Sequence, residues 1–151
     1  MRAVIAIGAN LEDPEAAVEL AITLLEKSSD LVARSSLYST KPMGGPRQPD
    51  YVNAVCIIDS DLPAQDLLGL LNGIEKSMGR VRTERWGPRI IDLDLITYGN
   101  VVNNDSELTL PHPRAHERGF VLQPWLEIDP DAALAPYGRV SDILAQLPPS
   151  K

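Results

Sequence analysis

The sequence has one cysteine, no long apolar run and no glycine-rich phosphate loop, and each absence narrows the possible functions. With Cys56 as the only cysteine in 151 residues, no disulfide framework can form, and we expect a core thiol in a protein of the reducing cytoplasm. No run approaches the roughly 18 apolar residues that span a bilayer, so no membrane association is expected. Neither GxxxxGKS/T nor GxGxxG occurs, so an ATP site would have to be built without these loops.

Positive charge is also scarce, but it is unevenly placed. Fourteen Lys and Arg residues oppose 21 Asp and Glu residues, which gives a formal net charge of −7. A chain of this charge repels nucleic acid on average, so we expect no nucleic-acid partner. Four arginines nevertheless fall within ten positions, at Arg80, Arg82, Arg85 and Arg89. The pattern predicts a local anion site in an acidic protein.

The hydrophobic pattern predicts a single α+β domain over residues 1–151. The predicted order is strand, helix, strand, strand, helix, strand, at 3–8, 13–27, 31–40, 51–58, 63–78 and 90–99. This is the order of the ferredoxin-like (split βαβ) fold, an antiparallel sheet with both helices on one face. After Gly99 we predict C-terminal additions outside the basic fold, among them a helix from Pro113 and a short helix over 140–147.

The last predicted strand carries two aspartates that the pattern does not explain by itself. Side chains alternate along a strand, so Asp92 and Asp94 share the face opposite to Leu93 and Leu95. Two carboxylates about 6.6 Å apart repel each other by roughly 2.5 kcal/mol at an effective dielectric constant near 20. A hard divalent cation such as Mg²⁺ would offset this repulsion and leave coordination positions for phosphate oxygens.

The charges in this region also have a simpler explanation. The aspartates can lie on a solvated sheet edge, and the arginines can form salt bridges in a surface loop, for example with Glu84. Guanidinium groups are, however, well suited to bidentate contacts with phosphate. Metal-binding carboxylates beside an arginine cluster are what phosphoryl transfer requires, so we favour that chemistry.

Several separated motifs resemble one enzyme family. AIGANL, QPDYVNAV, GRVR, RWGPRIIDLDLITYG and LPHPRAHERGFVL occur in the same order in the 6-hydroxymethyl-7,8-dihydropterin pyrophosphokinases of folate biosynthesis, and the likeness extends from residue 4 to about residue 128. The resemblance implies transfer of the pyrophosphoryl group of ATP to the hydroxymethyl group of the dihydropterin, with AMP as the second product. It also implies two Mg²⁺ ions.

The resemblance further implies roles for individual residues. Metal binding falls to Asp92 and Asp94, which with Arg82 and Arg89 form the implied catalytic set. The implied ATP-binding residues are Asn72, Glu75, Arg82, Trp86, Arg89, His112 and Arg118. The implied pterin-binding residues are Thr40, Lys41, Met43, Tyr51, Asn53 and Phe120, with Tyr51 and Phe120 stacking on the two faces of the ring.

Two other functions compete with this one. A ferredoxin-like module that binds RNA or a small ligand is the first alternative, although the acidic charge disfavours RNA. A Mg²⁺-dependent phosphohydrolase that uses the same aspartates is the second. For the pyrophosphokinase we expect a monomer without an obvious general base, and closure of the segments 41–49 and 79–89 over ATP and the pterin.

Overall fold

The structure, a computed structural model, describes residues 1–10, 13–40, 50–78 and 91–147. The strands are β1 Arg2–Ala9, β2 Asp30–Arg34, β3 Tyr38–Thr40, β4 Tyr51–Asp59, β5 Asp92–Tyr98, β6 Asn103–Asn104, β7 Thr109–Leu110, β8 Ala133–Leu134 and β9 Gly138–Arg139. The helices are α1 Pro14–Ser28, α2 Ala64–Ser77, the 3₁₀ helix Ala115–Glu117, α3 Gly119–Ile128 and α4 Val140–Gln146. None of the helices in these ranges is long and apolar enough to cross a membrane.

The main sheet is antiparallel and has the order β2–β4–β1–β5, with β3 also paired to β4. The central strands β1 and β4 are almost wholly buried, which agrees with their continuous apolar sequences. The helix α1 begins as predicted, because the Asp13 side chain accepts a hydrogen bond from the Ala16 amide at 3.2 Å and Pro14 occupies the first helical position. The predicted α+β class is confirmed.

Helices cover both faces of this sheet. On the first face, α1 and α2 pack through Leu25 and Leu71 against strand residues such as Ile5. On the second face, Trp125 of α3 and Val140 of α4 lie in a separate apolar cluster with strand residues of β1, β4 and β5. The C-terminal additions predicted beyond the basic fold thus cover the second face of the sheet, a position that the sequence prediction did not specify.

Two predicted elements have different bounds in the structure. The single strand predicted over 31–40 is two strands, because Ser35 interrupts it: its amide donates to the Val55 carbonyl at 2.9 Å and its Oγ accepts from the Val55 amide at 2.9 Å. The helix predicted from Pro113 is a 3₁₀ turn followed by α3, because Arg118 between them has an extended backbone (φ −112°, ψ 98°).

The strand β5 has the alternation that the sequence predicts. Leu93 and Leu95 belong to the first cluster, whereas Ile96 belongs to the second. An irregularity then shifts the register, because Ile5 pairs with Leu95 but Val4 pairs with Thr97. The extra residue, Ile96, bulges from the ladder, and beyond it Tyr98 returns to the first face. Asp92 and Asp94 precede the bulge and keep the orientation of the second face.

Candidate active site

The two aspartates lie half-buried on the second face, opposite the smallest side chains of β1. Asp92 pairs with Gly8, and Asp94 pairs with Ala6. Residues that pair across a sheet present their side chains on the same face. On β1 the carboxylates therefore have small neighbours, because Gly8 adds no side chain to this row and Ala6 adds only a methyl group.

Asn53 continues the same row across the sheet. It pairs with Gly8 on one side and with Tyr38 on the other, so Asn53, Gly8 and Asp92 lie on three successive strands. With neighbouring strands about 4.8 Å apart, the backbones at Asn53 and Asp92 are separated by about 9.6 Å. Asn53 is 5% exposed, and its Nδ2 donates to Oγ1 of Thr40.

Gly8 is required at this position because the Asn53 amide lies directly over it. A Cβ atom added to Gly8 would be 2.8 Å from Oδ1 of Asn53, closer than two such atoms approach in real structures. The hydrogen bond from Nδ2 of Asn53 to Thr40 holds the amide in that position. Asn53 thus presents a fixed acceptor and donor pair, which suits the polar edge of a heterocycle.

Tyr51 and Phe120 supply aromatic rings on the same face of the sheet as this amide. Tyr51 is two residues before Asn53 on β4 and therefore faces the same side of the sheet. Phe120 lies in the first turn of α3 and packs against the second-face cluster while staying half-buried. The guanidinium carbon of Arg118 is 5.7 Å from the centroid of the Phe120 ring, within the range of a cation–π contact.

His112 is a neutral donor near the aspartates. Its backbone amide donates to the Ile96 carbonyl at 2.8 Å, which attaches this segment to β5. Burial first, and then the positive charges of Arg118 and Arg114, lower the pKa of His112 to about 4, although Asp92 opposes this shift. Nδ1 of His112 accepts from the Arg114 amide at 3.2 Å, so in the neutral ring Nε2 carries the proton.

Asn72 and Glu75 are on α2, which packs on the first face of the sheet. Asn72 is exposed, whereas Glu75 is 6% exposed. Oε2 of Glu75 accepts from the Leu93 amide at 2.7 Å, between the two aspartates in the chain. Glu75 therefore satisfies a backbone donor on the outer edge of β5, where no further strand pairs in the described sheet.

The remaining predicted site residues lie outside the described ranges. They are Lys41, Met43, Arg82, Trp86 and Arg89, and the two segments expected to close over the substrates lie largely or wholly outside them as well. Sequence reasoning missed Gly8. The signal for Gly8 was its position at the end of an apolar strand, since glycine inside a strand often marks close approach of another group.

The donor set at the aspartates suits a magnesium ion. Among the described residues, no group of three or more His, Cys, Asp or Glu side chains is arranged to hold a metal. Two half-buried carboxylates on one face of a strand match Mg²⁺, which binds proteins through one or two carboxylates and takes its other ligands from water and phosphate.

Comparison with known sequences identifies relatives over nearly the whole chain. A sequence model of the family described as 7,8-dihydro-6-hydroxymethylpterin-pyrophosphokinase matches residues 4–130. A 2-amino-4-hydroxy-6-hydroxymethyldihydropteridine pyrophosphokinase of Haemophilus influenzae is 41% identical over 146 residues, 95% of this chain and 91% of that protein. A Pseudomonas aeruginosa protein of the same name is 38% identical over 149 residues, 97% of this chain and 92% of its own.

Solved structures with the same fold include longer two-part proteins. An HPPK-DHPS crystallised in complex with substrates superimposes with a TM-score of 0.76 at 13% identity, and a wild-type Plasmodium falciparum HPPK-DHPS with pteroate superimposes with a TM-score of 0.70 at 11% identity. They cover 95% and 96% of this chain, but this chain spans only 44% of each of them. At these identities the likeness concerns the fold alone.

Proposed function

Because this chain belongs to the 7,8-dihydro-6-hydroxymethylpterin-pyrophosphokinase family, we propose that it transfers the pyrophosphoryl group of ATP to 6-hydroxymethyl-7,8-dihydropterin in folate biosynthesis. The hydroxymethyl oxygen bonds to the β-phosphorus of ATP, and the bond from that phosphorus to the oxygen of the α-phosphate breaks. AMP leaves with the electron pair, and the hydroxyl proton passes to water. The products are AMP and the pterin diphosphate.

The observation that carries the proposal is the row formed by Asn53, Gly8 and Asp92. Asn53 would read the polar edge of the pterin, and Asp92 lies about 9.6 Å away across the sheet. This separation is comparable to the length of a fused two-ring heterocycle that carries a short substituent. A pterin bound at Asn53 would therefore direct its hydroxymethyl group toward phosphates held at the aspartates.

The pterin-binding set is extended by the aromatic residues and by the segment after β3. Tyr51 and Phe120 would stack on the two faces of the ring, which excludes water from a flat apolar surface. Thr40 holds the Asn53 amide, as its hydrogen bond indicates. We also include Lys41 and Met43, which follow β3 in the sequence, in the proposed pterin-binding set.

The proposed ATP-binding set acts together with the two aspartates. Asp92 and Asp94 would hold Mg²⁺, with two ions expected, and the metal supplies positive charge that neutralises the phosphates. Neutral His112 can donate from Nε2 to an oxygen of the nucleotide, and Arg118 adds a nearby positive charge. The other proposed ATP contacts are Asn72, Glu75, Arg82, Trp86 and Arg89, with Arg82 and Arg89 acting on the phosphates during turnover.

The chain's own contribution to rate is then chiefly orientation. Holding the hydroxymethyl oxygen and the β-phosphorus in one geometry replaces a bimolecular encounter in solution by a unimolecular step. The proton of an alcohol is lost as the oxygen bonds to phosphorus, so a strong general base is not required in a loose phosphoryl-transfer transition state. We further propose that the whole chain acts as one domain and as a monomer in the cytoplasm.

A ³¹P NMR assay with ATP, Mg²⁺ and 6-hydroxymethyl-7,8-dihydropterin tests the reaction. AMP and the pterin diphosphate should appear together at equal rates, and Asp92→Asn and Asp94→Asn should each abolish their formation. Asp59→Asn is the matched control, because Asp59 ends β4 at the opposite end of the sheet from Asn53. Formation of ADP, or phosphate release without the pterin, would contradict the proposal and favour a phosphohydrolase.

A further inference from the structure

One carboxylate joins the helix that carries Phe120 to the strand that carries Thr40. Glu127, near the end of α3, accepts from the Ser36 amide at 3.0 Å and from the Ser36 hydroxyl at 2.9 Å. It also accepts from the Tyr38 hydroxyl at 2.7 Å. Ser36 lies in the break between β2 and β3, and Tyr38 is the first residue of β3. A single side chain of the C-terminal layer therefore fixes the start of this short strand.

The strand held in this way carries part of the pterin side of the proposed site. Tyr38 pairs with Asn53, and Thr40 pairs with Tyr51. Thr40 accepts the hydrogen bond that orients the Asn53 amide. With only three residues, β3 has few pairing bonds of its own, so an anchor at its first residue affects the position of its last residue.

The other end of the link is the helix with the second stacking ring. Phe120 precedes Glu127 by seven residues, which is about two helical turns and roughly 10.5 Å along the axis. Both residues therefore lie on nearly the same side of α3, the side from which Glu127 reaches Ser36 and Tyr38. A change in the distance between α3 and β3 at Glu127 would change the gap between Phe120 and Tyr51.

The charges at this contact agree with a strong hydrogen bond. The Tyr38 hydroxyl lowers the pKa of Glu127, with further lowering by the Ser36 amide and hydroxyl, and the carboxylate in turn raises the pKa of Tyr38. Glu127 is exposed at the surface, whereas α3 is held to the sheet by the buried Val121, Leu122 and Trp125. Glu127 thus orients α3 relative to β3, whereas the buried apolar residues hold α3 on the sheet.

We propose that Glu127 is a positioning residue that sets the width of the pterin slot, by tying α3 with Phe120 to β3 with Tyr38 and Thr40. The inference rests on the proposed function, because it concerns the pterin subsite of that reaction. Glu127 does not touch the substrate in this proposal. It acts through the distance between α3 and β3, which are far apart in the sequence. Loss of Glu127 should therefore weaken binding of the pterin and leave binding of ATP nearly unchanged.

Steady-state kinetics with both substrates varied tests the proposal, together with pterin binding measured by fluorescence. For Glu127→Ala we expect KM for the pterin to rise about tenfold, equivalent to about 1.4 kcal/mol, with KM for ATP changed less than about twofold. Tyr38→Phe should have a smaller effect in the same direction. Glu127→Gln should recover most of the affinity, because its amide oxygen can still accept and its amide nitrogen can donate to the Tyr38 oxygen.

Gln123→Ala is the matched control, since Gln123 is exposed on α3 one turn before Glu127. Equal KM changes for ATP and the pterin, a lower melting temperature with unchanged pterin affinity, or the same effect from Gln123→Ala would each overturn the inference. Should Glu127→Ala not fold, Tyr38→Phe alone decides between these outcomes. Failure of the proposed function is distinguishable, because the unmodified protein would then form no pterin diphosphate.

Discussion

Replacement of Glu75 by alanine should destabilise the protein and impair turnover through the edge of β5. The Glu75 carboxylate is 6% exposed and accepts from the Leu93 amide at 2.7 Å. That amide lies between Asp92 and Asp94 on the strand that ends the described sheet. Without the carboxylate, a buried backbone donor loses its partner, and the segment that presents both aspartates loses a hydrogen bond to α2.

The expected loss follows from the charge and the burial of this contact. A hydrogen bond to a charged group contributes about 1.5–3 kcal/mol, and a buried amide left unsatisfied costs about 1–3 kcal/mol. The two figures describe partly the same loss, so they are not added. We therefore expect Glu75→Ala to lower the free energy of unfolding by about 3 kcal/mol. For a chain of this length, that loss lowers the melting temperature by about 6–12 °C. Glu75→Gln keeps an acceptor oxygen and should lose about 1 kcal/mol.

Urea unfolding followed by circular dichroism measures these losses, with the exposed Glu26→Ala on α1 as the control. Turnover should fall strongly in Glu75→Ala and remain within about fivefold of normal in Glu75→Gln. Equal losses below about 1 kcal/mol in both variants would refute the account of Glu75 as an anchor of β5. A stable Glu75→Gln with greatly weakened ATP binding would show that the charge of Glu75 also acts on the nucleotide, as the proposed ATP contact requires.

Three further predictions concern single residues. Gly8→Ala should displace the Asn53 amide and raise KM for the pterin at least tenfold with KM for ATP little changed; unchanged pterin affinity would contradict the close contact. Burial raises the pKa of the Cys56 thiol to about 12, so the thiolate fraction at neutral pH is about a thousandfold smaller than for an ordinary thiol. Cys56 should therefore react with a thiol reagent only when urea unfolds the protein, and rapid reaction without urea would contradict this burial. Because the pKa of His112 falls to about 4 from an ordinary 6.5, the unfolded chain binds more protons between these values, and stability rises with pH there. When the pH is lowered from about 7 to about 5, the free energy of unfolding measured by urea titration should therefore fall less for His112→Gln than for the unmodified protein. An equal fall in both proteins would refute the low pKa of His112.

The sequence predicts the elements of the sheet well where the pattern is strongly periodic. The alternation in IIDLDLI places Leu93 and Leu95 with α2, and the helix start at Asp13 and Pro14 is confirmed. The strand predicted over 31–40 is wrong in its continuity, because its two faces carry similar mixtures of polar and apolar residues. Only the tertiary contact between Ser35 and Val55 determines where that strand breaks.

The position of the C-terminal layer is harder to predict, because α3 and α4 are short and their apolar residues form no long stripe. A signal was nevertheless present in YVNAVCII. A continuous apolar strand is buried on both faces, so it requires a layer on each side of the sheet. The Glu127 contact could not be predicted from periodicity, since it joins Ser36 and Tyr38 across about 90 residues of chain.

In the proposed site, the spacing of the strands that carry Asn53, Gly8 and Asp92 sets the length of substrate that fits between the pterin-binding and metal-binding residues. To change the distance between the two polar side chains, two hydrogen-bonded strand pairings would have to stretch together, whereas loops adjust at little cost. An analogue whose hydroxyl is one carbon farther from the ring would place its oxygen up to about 1.5 Å too far along the row. The protein should therefore discriminate against a hydroxyethyl analogue mainly in kcat, because such a ring can still stack between Tyr51 and Phe120 while its oxygen is misplaced for attack.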